Sequence, residues 1–327
     1  MFFKMISVVS TMMLLSCANH TTMSTRNPSN LVDGEILSIK KYTAPHFSDS
    51  GFKQNPDIRE FYEKEIKPAF EKRTEITSVD EIFYSSDNLK IKGFILKPIQ
   101  IAVEKKLPIV VFNHGGNREY GKLAIKDLIW LSRVAEKGYI VVASQYRGID
   151  GGEGTEEFGG ADVHDVKNIL KAARSLPEAD LNKNFIMGHS RGGMMTYLSI
   201  KDNRDYKAAV ILAGECNLKK GLEGWPDFEK RVFEEVIPNY NKATKDALLE
   251  QRSACSWVEK IFTPVYILQG DIDKNVEPIQ ATEMTEKLKK LNKKVKLDIL
   301  SGGHSLFFLS DYENDIISRI DKWFKSN

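Results

Sequence analysis

From Glu81 onward, short apolar runs alternate with longer amphipathic stretches, and this alternation predicts strands and helices in turn. The runs Glu81–Tyr84, Leu89–Leu96, Pro108–Asn113, Tyr139–Ser144, Asn184–Met187, Ala208–Leu212, Pro264–Gln269 and Val295–Leu300 read as strands. Ile109-Val110-Val111-Phe112 and Ile140-Val141-Val142-Ala143 are apolar at every position, as parallel strands buried on both faces should be. The first two strands read instead as an antiparallel hairpin turning at Ser85-Ser86-Asp87-Asn88. Helical spacing covers roughly 121–136, 161–176, 191–202, 277–291 and 308–325. The expectation is an α/β domain whose mostly parallel, eight-stranded sheet carries helices on both faces.

Two segments break the pattern. Within about 217–262, two charged helical stretches carry Trp225, Phe228, Phe233, Ile237 and Tyr240, which predicts a helical cap inserted over the sheet's edge. These apolar residues either dock the insertion or line a pocket. Ahead of the sheet, Ile58, Phe61, Tyr62, Ile66, Ala69 and Phe70 mark an amphipathic helix from Pro56 to Arg73 that Pro68 kinks. Residues 17–55, rich in Ser, Thr, Asn and Pro without periodicity, read as a tether, and 56–327 as the folded domain.

Residues 1–16 differ again. Lys4 precedes an apolar stretch from Met5 to Ser16, shorter than the roughly 20 residues of a spanning helix and followed at once by polar sequence. It reads as a signal peptide, so export is expected. The ending Leu14-Leu15-Ser16-Cys17 resembles a bacterial lipobox, which implies that Cys17 is acylated and holds the domain on a bacterial membrane, facing the periplasm or the cell surface. Cys216 and Cys255 would then lie where disulfides persist, and a bridge or two buried thiols are both open. The remaining composition is that of a globular chain: 327 residues, 42% hydrophobic and 28% charged. Its formal charge of +2 is too balanced for the basic field of a nucleic-acid binder, so no such partner is expected.

Candidate chemistry centres on Asn184-Phe185-Ile186-Met187-Gly188-His189-Ser190-Arg191-Gly192-Gly193, a buried strand running through G-x-S-x-G into a helix. Such a turn is sharp and crowded, needs its glycines, and lifts the serine above the sheet as a nucleophile. Arg191 offers a backbone N–H at a helix start, where free donors and the dipole favour an oxyanion. A serine nucleophile needs a base, and the base an orienting acid. One later strand leads into Gly270-Asp271-Ile272-Asp273, and the last leads into Ser301-Gly302-Gly303-His304. Both loops fall at the sheet's carboxyl edge, where open α/β sheets place their sites. The chain order Ser, Asp, His is that of α/β-hydrolases.

Gly270-x-x-Asp273-x-x-Val276 resembles the Gly-x-x-Asp-x-x-Val of the prolyl oligopeptidase family, which implies that Asp273 is the catalytic acid and Asp271 a loop cap. Tyr146-Arg147-Gly148, Asp162–Val166 and Arg252-Ser253-Ala254 extend the resemblance from about residue 80 to the end. Asn113-His114-Gly115-Gly116-Asn117 is similar to the family's His-Gly-Gly-Pro, which lines the oxyanion hole. It implies a second donor from Gly115 or Gly116, with Asn117 in place of proline and His114 where some members carry a tyrosine. The implied fold is the α/β-hydrolase fold. The implied activity is that of a serine peptidase acting through an acyl-enzyme, with neither metal nor organic cofactor. Many members also carry a β-propeller, for which the residues before the hydrolase domain are too few. An esterase acting on acylated carbohydrate or small esters would use the same triad, and a noncatalytic binding lipoprotein would keep the same scaffold.

The loop Gly148–Gly160 carries Glu153, Glu156 and Glu157, which would repel phosphate, and lacks a G-K-[ST] ending, which argues against a phosphate loop. Glu153 or Glu157 is a candidate to receive a peptide's amino terminus, with a solvated loop as the alternative. His114 and His189 are candidate substrate contacts. His20, His46, His164 and His189 lack metal-ligand spacing.

Overall fold

The computed structural model describes residues 31–49, 55–102 and 104–327; Cys17 and the stretch read as a signal peptide lie outside them. Among the described residues nine strands form one sheet: β1 (Ile36–Lys41), β2 (Thr77–Ser86), β3 (Leu89–Pro98), β4 (Leu107–Asn113), β5 (Ile140–Ser144), β6 (Ala179–His189), β7 (Ala208–Leu212), β8 (Val265–Gly270) and β9 (Val295–Leu300). Their spatial order is β1-β2-β3-β5-β4-β6-β7-β8-β9. From β5 to β9 every neighbouring pair is parallel, and β1, β2 and β3 join as an antiparallel margin on β5. The eight expected strands are all present.

The ninth corrects the expectation. β1 lies within the stretch read as tether and pairs with β2, Ile39 opposite Ile82. It is half-buried and then exposed along its length, so no apolar run announces it. Nearby, Phe47 is buried and Pro45 accepts a hydrogen bond from the Tyr62 hydroxyl at 2.6 Å, so these residues are part of the folded body.

Helices α1 (Pro56–Phe61), α2 (Lys67–Thr74), α3 (Ile125–Ala135), α4 (Asp162–Arg174) and α5 (Arg191–Ile200) precede the insertion. Within it lie α6 (Leu218–Gly224), α7 (Pro226–Phe228), α8 (Glu234–Val236) and α9 (Lys245–Arg252), and α10 (Pro278–Lys290) and α11 (Ser310–Lys325) follow. A wide turn, Tyr62–Ile66, separates α1 from α2, with the Lys67 N–H reaching back to the Tyr62 carbonyl. Pro68, at the start of α2, has no N–H to continue the regular ladder, so the predicted kink takes this form.

Alternation along the strands divides the core into two layers. Ile109 and Val111 of β4 face one cluster with Val166 and Ile169 of α4, Met194 and Met195 of α5, and Met284 of α10. Val110 and Phe112 face the other, with Leu128 and Leu131 of α3 and Ile316 and Ile320 of α11. The insertion docks on the first layer. Phe158 meets Phe228 and Phe233 edge to face, with ring centroids 5.9 and 5.1 Å apart. These aromatics are therefore packing residues, whereas Trp225 remains 43% exposed. Cys216 and Cys255 form a disulfide, 5.2 Å apart at Cα, which closes the insertion at its base. Among the described residues no helix is long and apolar enough to cross a membrane.

Candidate active site

Ser190 stands between β6 and α5 with φ 58° and ψ −126°, a strained backbone for an L residue. The surrounding packing enforces it. A Cβ on Gly188 would lie 2.1 Å from the Gly192 carbonyl oxygen, and one on Gly192 would lie 1.9 Å from that of Asn113. Only glycine fits at either place. The Ser190 N–H donates to the Leu212 carbonyl at 2.9 Å, tying the turn to β7. Arg191 opens α5, so its N–H is one of the helix's free donors.

At the carboxyl edge, His304 Nδ1–H donates to Asp273 Oδ2 at 2.8 Å. Asp273 is 3% exposed, and its other oxygen accepts the N–H groups of Asn275 and Val276 at 2.8 and 3.0 Å. Gln269 Nε2 also donates to Oδ2. Burial by itself raises the Asp273 pKa, but the His304 hydrogen bond and the two backbone donors outweigh it and hold the carboxyl below its usual range. Asp271 instead accepts the Gly302 N–H at 2.9 Å, so it caps the loop that carries His304. Ser190 and this pair are brought to one rim. The ring of His189, next to Ser190, lies 4.7 Å from that of His304. Among the described residues no hydrogen bond joins Ser190 to His304; free enzymes commonly tighten that contact only around substrate.

Gly115 packs against the nucleophile, since a Cβ there would lie 3.0 Å from Ser190 Cβ, and the chain turns at Gly116 with φ 74°. The peptide groups of residues 115 and 116 thus sit opposite the start of α5.

Four candidate substrate contacts are otherwise engaged. His114 is 3% exposed, with Nδ1 2.8 Å from the Gly115 carbonyl and its ring stacked on Tyr146 at 4.3 Å. Burial above all lowers its pKa to about 4, so it is a neutral buttress beneath the oxyanion loop and not a surface for substrate. His189 Nε2–H donates to the His304 carbonyl at 2.9 Å, and the ring packs on Phe307 and Phe308. Its contacts hold the base in place. Burial first, and the nearby His304 second, lower the His189 pKa to about 3. Glu153 accepts the Lys90 N–H at 2.9 Å and Glu157 the Ala161 N–H at 2.8 Å. Glu153 thus ties the loop to β3, and Glu157 serves an amide at the entry to α4.

The Arg191 side chain is a feature the sequence reading missed. It is 3% exposed, pairs with Glu156 at 2.7 Å and Asp162 at 2.5 Å, and donates to the Gly116 carbonyl at 3.0 Å. Its guanidinium also lies 4.6 Å from the Phe158 ring centre. One residue therefore joins the elbow, the oxyanion loop and the Gly-rich loop. Arg147 pairs with Asp165 at 2.8 Å, and Arg252 donates to the Phe158 carbonyl at 2.9 Å, so these motif residues are scaffolding for the same loop. The only prior signal was an arginine in an elbow followed by no acid on its own helix.

A model described as the prolyl oligopeptidase family matches residues 126–327. The uncharacterized peptidase YtmA of Bacillus subtilis is 27% identical over 246 residues, which cover 75% of this chain and 92% of that protein. The uncharacterized peptidase YuxL of the same organism is 27% identical over 237 residues, covering 68% of this chain and 34% of that protein. The chain thus spans most of the first relative and about a third of the second. Among solved structures, an acylaminoacyl peptidase in complex with Z-Gly-Gly-Phe-chloromethyl ketone has a TM-score of 0.65 at 22% identity, covering 76% of this chain and 41% of that one. That likeness concerns the fold.

Proposed function

The chain belongs to the prolyl oligopeptidase family of serine peptidases, and on that premise we propose that it hydrolyses peptide bonds with Ser190 as nucleophile, His304 as base and Asp273 as orienting acid. The observation that carries this assignment is the His304–Asp273 hydrogen bond at the rim beside the strained Ser190. With the Nδ1 proton committed to Asp273, Nε2 is the atom left to take the serine proton. The Ser190 oxygen attacks the scissile carbonyl, and Asp273 stabilises the imidazolium that forms. The carbonyl oxygen becomes an oxyanion received by the Arg191 N–H and an amide of the Gly115-Gly116 segment. His304 then passes its proton to the leaving amine, and water repeats the sequence to free the acid.

Lipid anchorage through Cys17 on an exported protein belongs to the same proposal. The Cys216–Cys255 bridge supports it, because such bonds persist outside the cytosol. The test is fluorophosphonate labelling of fractionated cells, paired with turnover of short peptide anilides and nitrophenyl acyl esters by the purified protein. Expected results are label in the membrane fraction for wild type, in the soluble fraction for Cys17→Ser and in neither for Ser190→Ala, with anilides cleaved. Turnover of esters alone would replace the peptidase reading with an esterase. An absence of label on folded wild type would overturn catalysis by Ser190 altogether.

A further inference from the structure

Three residues past the end of β7, the chain presents a carboxylate with no assigned role. Its backbone is fixed on both sides. Gly214 lies against the elbow helix, where a Cβ on Gly193 would come within 2.5 Å of the Gly214 Cα. Cys216 is bonded to Cys255, and its N–H donates to Gln280 Oε1 at 3.0 Å. Glu215, between them, is half-buried and turned towards α6, with Oε1 3.5 Å from where a Cβ on Gly221 would stand.

Among the described residues this carboxylate has neither a hydrogen bond nor an ion pair. The nearby cations are committed elsewhere: Lys219 to Asp246 at 2.9 Å, Lys220 to Glu283 at 3.9 Å, and Arg191 to Glu156 and Asp162. Burial raises the Glu215 pKa to about 7, with His304 and Arg191 acting through space against it. A half-buried carboxylate without a partner, just past the strand that anchors the elbow, points to a group supplied from outside.

We propose that Glu215 is a specificity residue that binds a cationic group of the substrate, a protonated amine or a guanidinium, beside α6. This rests on the peptidase reading above. Gly221 leaves the carboxylate uncovered on the insertion side, and the disulfide beside it keeps its position fixed, so little ordering is needed on binding. The cation comes from the peptide's own amino terminus or from a basic side chain next to the scissile bond.

The experiment compares kcat/KM for matched peptidyl nitroanilides, with a free or an acetylated amino terminus and with lysine or norleucine beside the scissile bond. Wild type is expected to prefer a cationic member over its neutral partner by about 10- to 100-fold, the range of a charge-assisted hydrogen bond. Glu215→Gln should bring that ratio close to one, and Glu215→Lys should reverse it. The pair that shows the preference identifies the source of the cation. Because each ratio is internal to one enzyme, a lower yield of folded variant does not affect it. Equal turnover of cationic and neutral members by wild type, or the same ratio in Glu215→Gln, would overturn the proposal. Fluorophosphonate labelling separates the two failures: labelled wild type without a charge preference defeats only the role of Glu215, while unlabelled wild type defeats the peptidase reading itself.

Discussion

Arg191 opens the helix behind the nucleophile and Glu215 follows the strand that anchors it, one in a network closed upon itself and the other without a partner among the described residues. The guanidinium of Arg191 has two carboxylates, a carbonyl and an aromatic face around it, all supplied by this chain. The carboxylate of Glu215 has no such company among the described residues. The difference separates groups that build the site from groups that address a substrate, and formal charge alone does not reveal it. His304 and Asp273 stand between the two cases, since their mutual bond is complete while the Ser190 hydroxyl awaits its partner.

The largest expected effect tests this division at the rim. Asp273→Asn should lower kcat by about 10⁴-fold by removing the carboxylate that selects the His304 tautomer, whereas Asp271→Asn should cost far less. Steady-state kinetics on one peptide anilide decide it, and the reverse order would move the acid to Asp271. Next in size is the closed network. Glu156→Gln should destabilise the fold by about 3 kcal/mol in urea unfolding, near the lower bound for a broken buried pair because Asp162 remains on Arg191. Loss of turnover without loss of stability would place Glu156 on the substrate side of the comparison.

The smallest effect concerns His114. Its folded pKa of about 4 lies below the ordinary 6.5, so between these values the unfolded chain takes up a proton that the folded chain refuses. Its contribution to stability is therefore complete above about pH 6.5 and is lost as the pH falls towards 4. At pH 5 wild type should lose about 2 kcal/mol relative to pH 7 through this group. Urea unfolding of wild type and His114→Asn at both values should show that excess in wild type alone. Equal losses would mean that the imidazole is not held neutral.

Much of this site is legible in the sequence because its causes are local. Ile109–Phe112 is apolar at each position since both faces of β4 are covered, and Gly188 and Gly192 are glycines since backbone oxygens leave no room for a Cβ. The loops after β8 and β9 likewise keep their acid and base at fixed offsets from glycines. The rest depends on partners remote in the chain. Ile36–Lys41 is a strand because β2 lies beside it, not because its own pattern is strong. Glu153 and Glu157 have the composition of a binding loop, yet each meets a backbone amide, and His114 turns inward onto Tyr146. Glu215 escaped notice for the opposite reason: an exit loop holding one acid is ordinary until its surroundings are known.

The bridge at residues 216 and 255 makes a ring of nearly the whole insertion, its ends held 5.2 Å apart at Cα. Whatever is spliced into the far side of that ring inherits the same doorway onto the sheet. Lengthening a flexible segment there carries an entropic cost of only about 0.6 kcal/mol per doubling. The sheet beneath can thus tolerate a longer or shorter ring while the points where that ring meets it stay where they are.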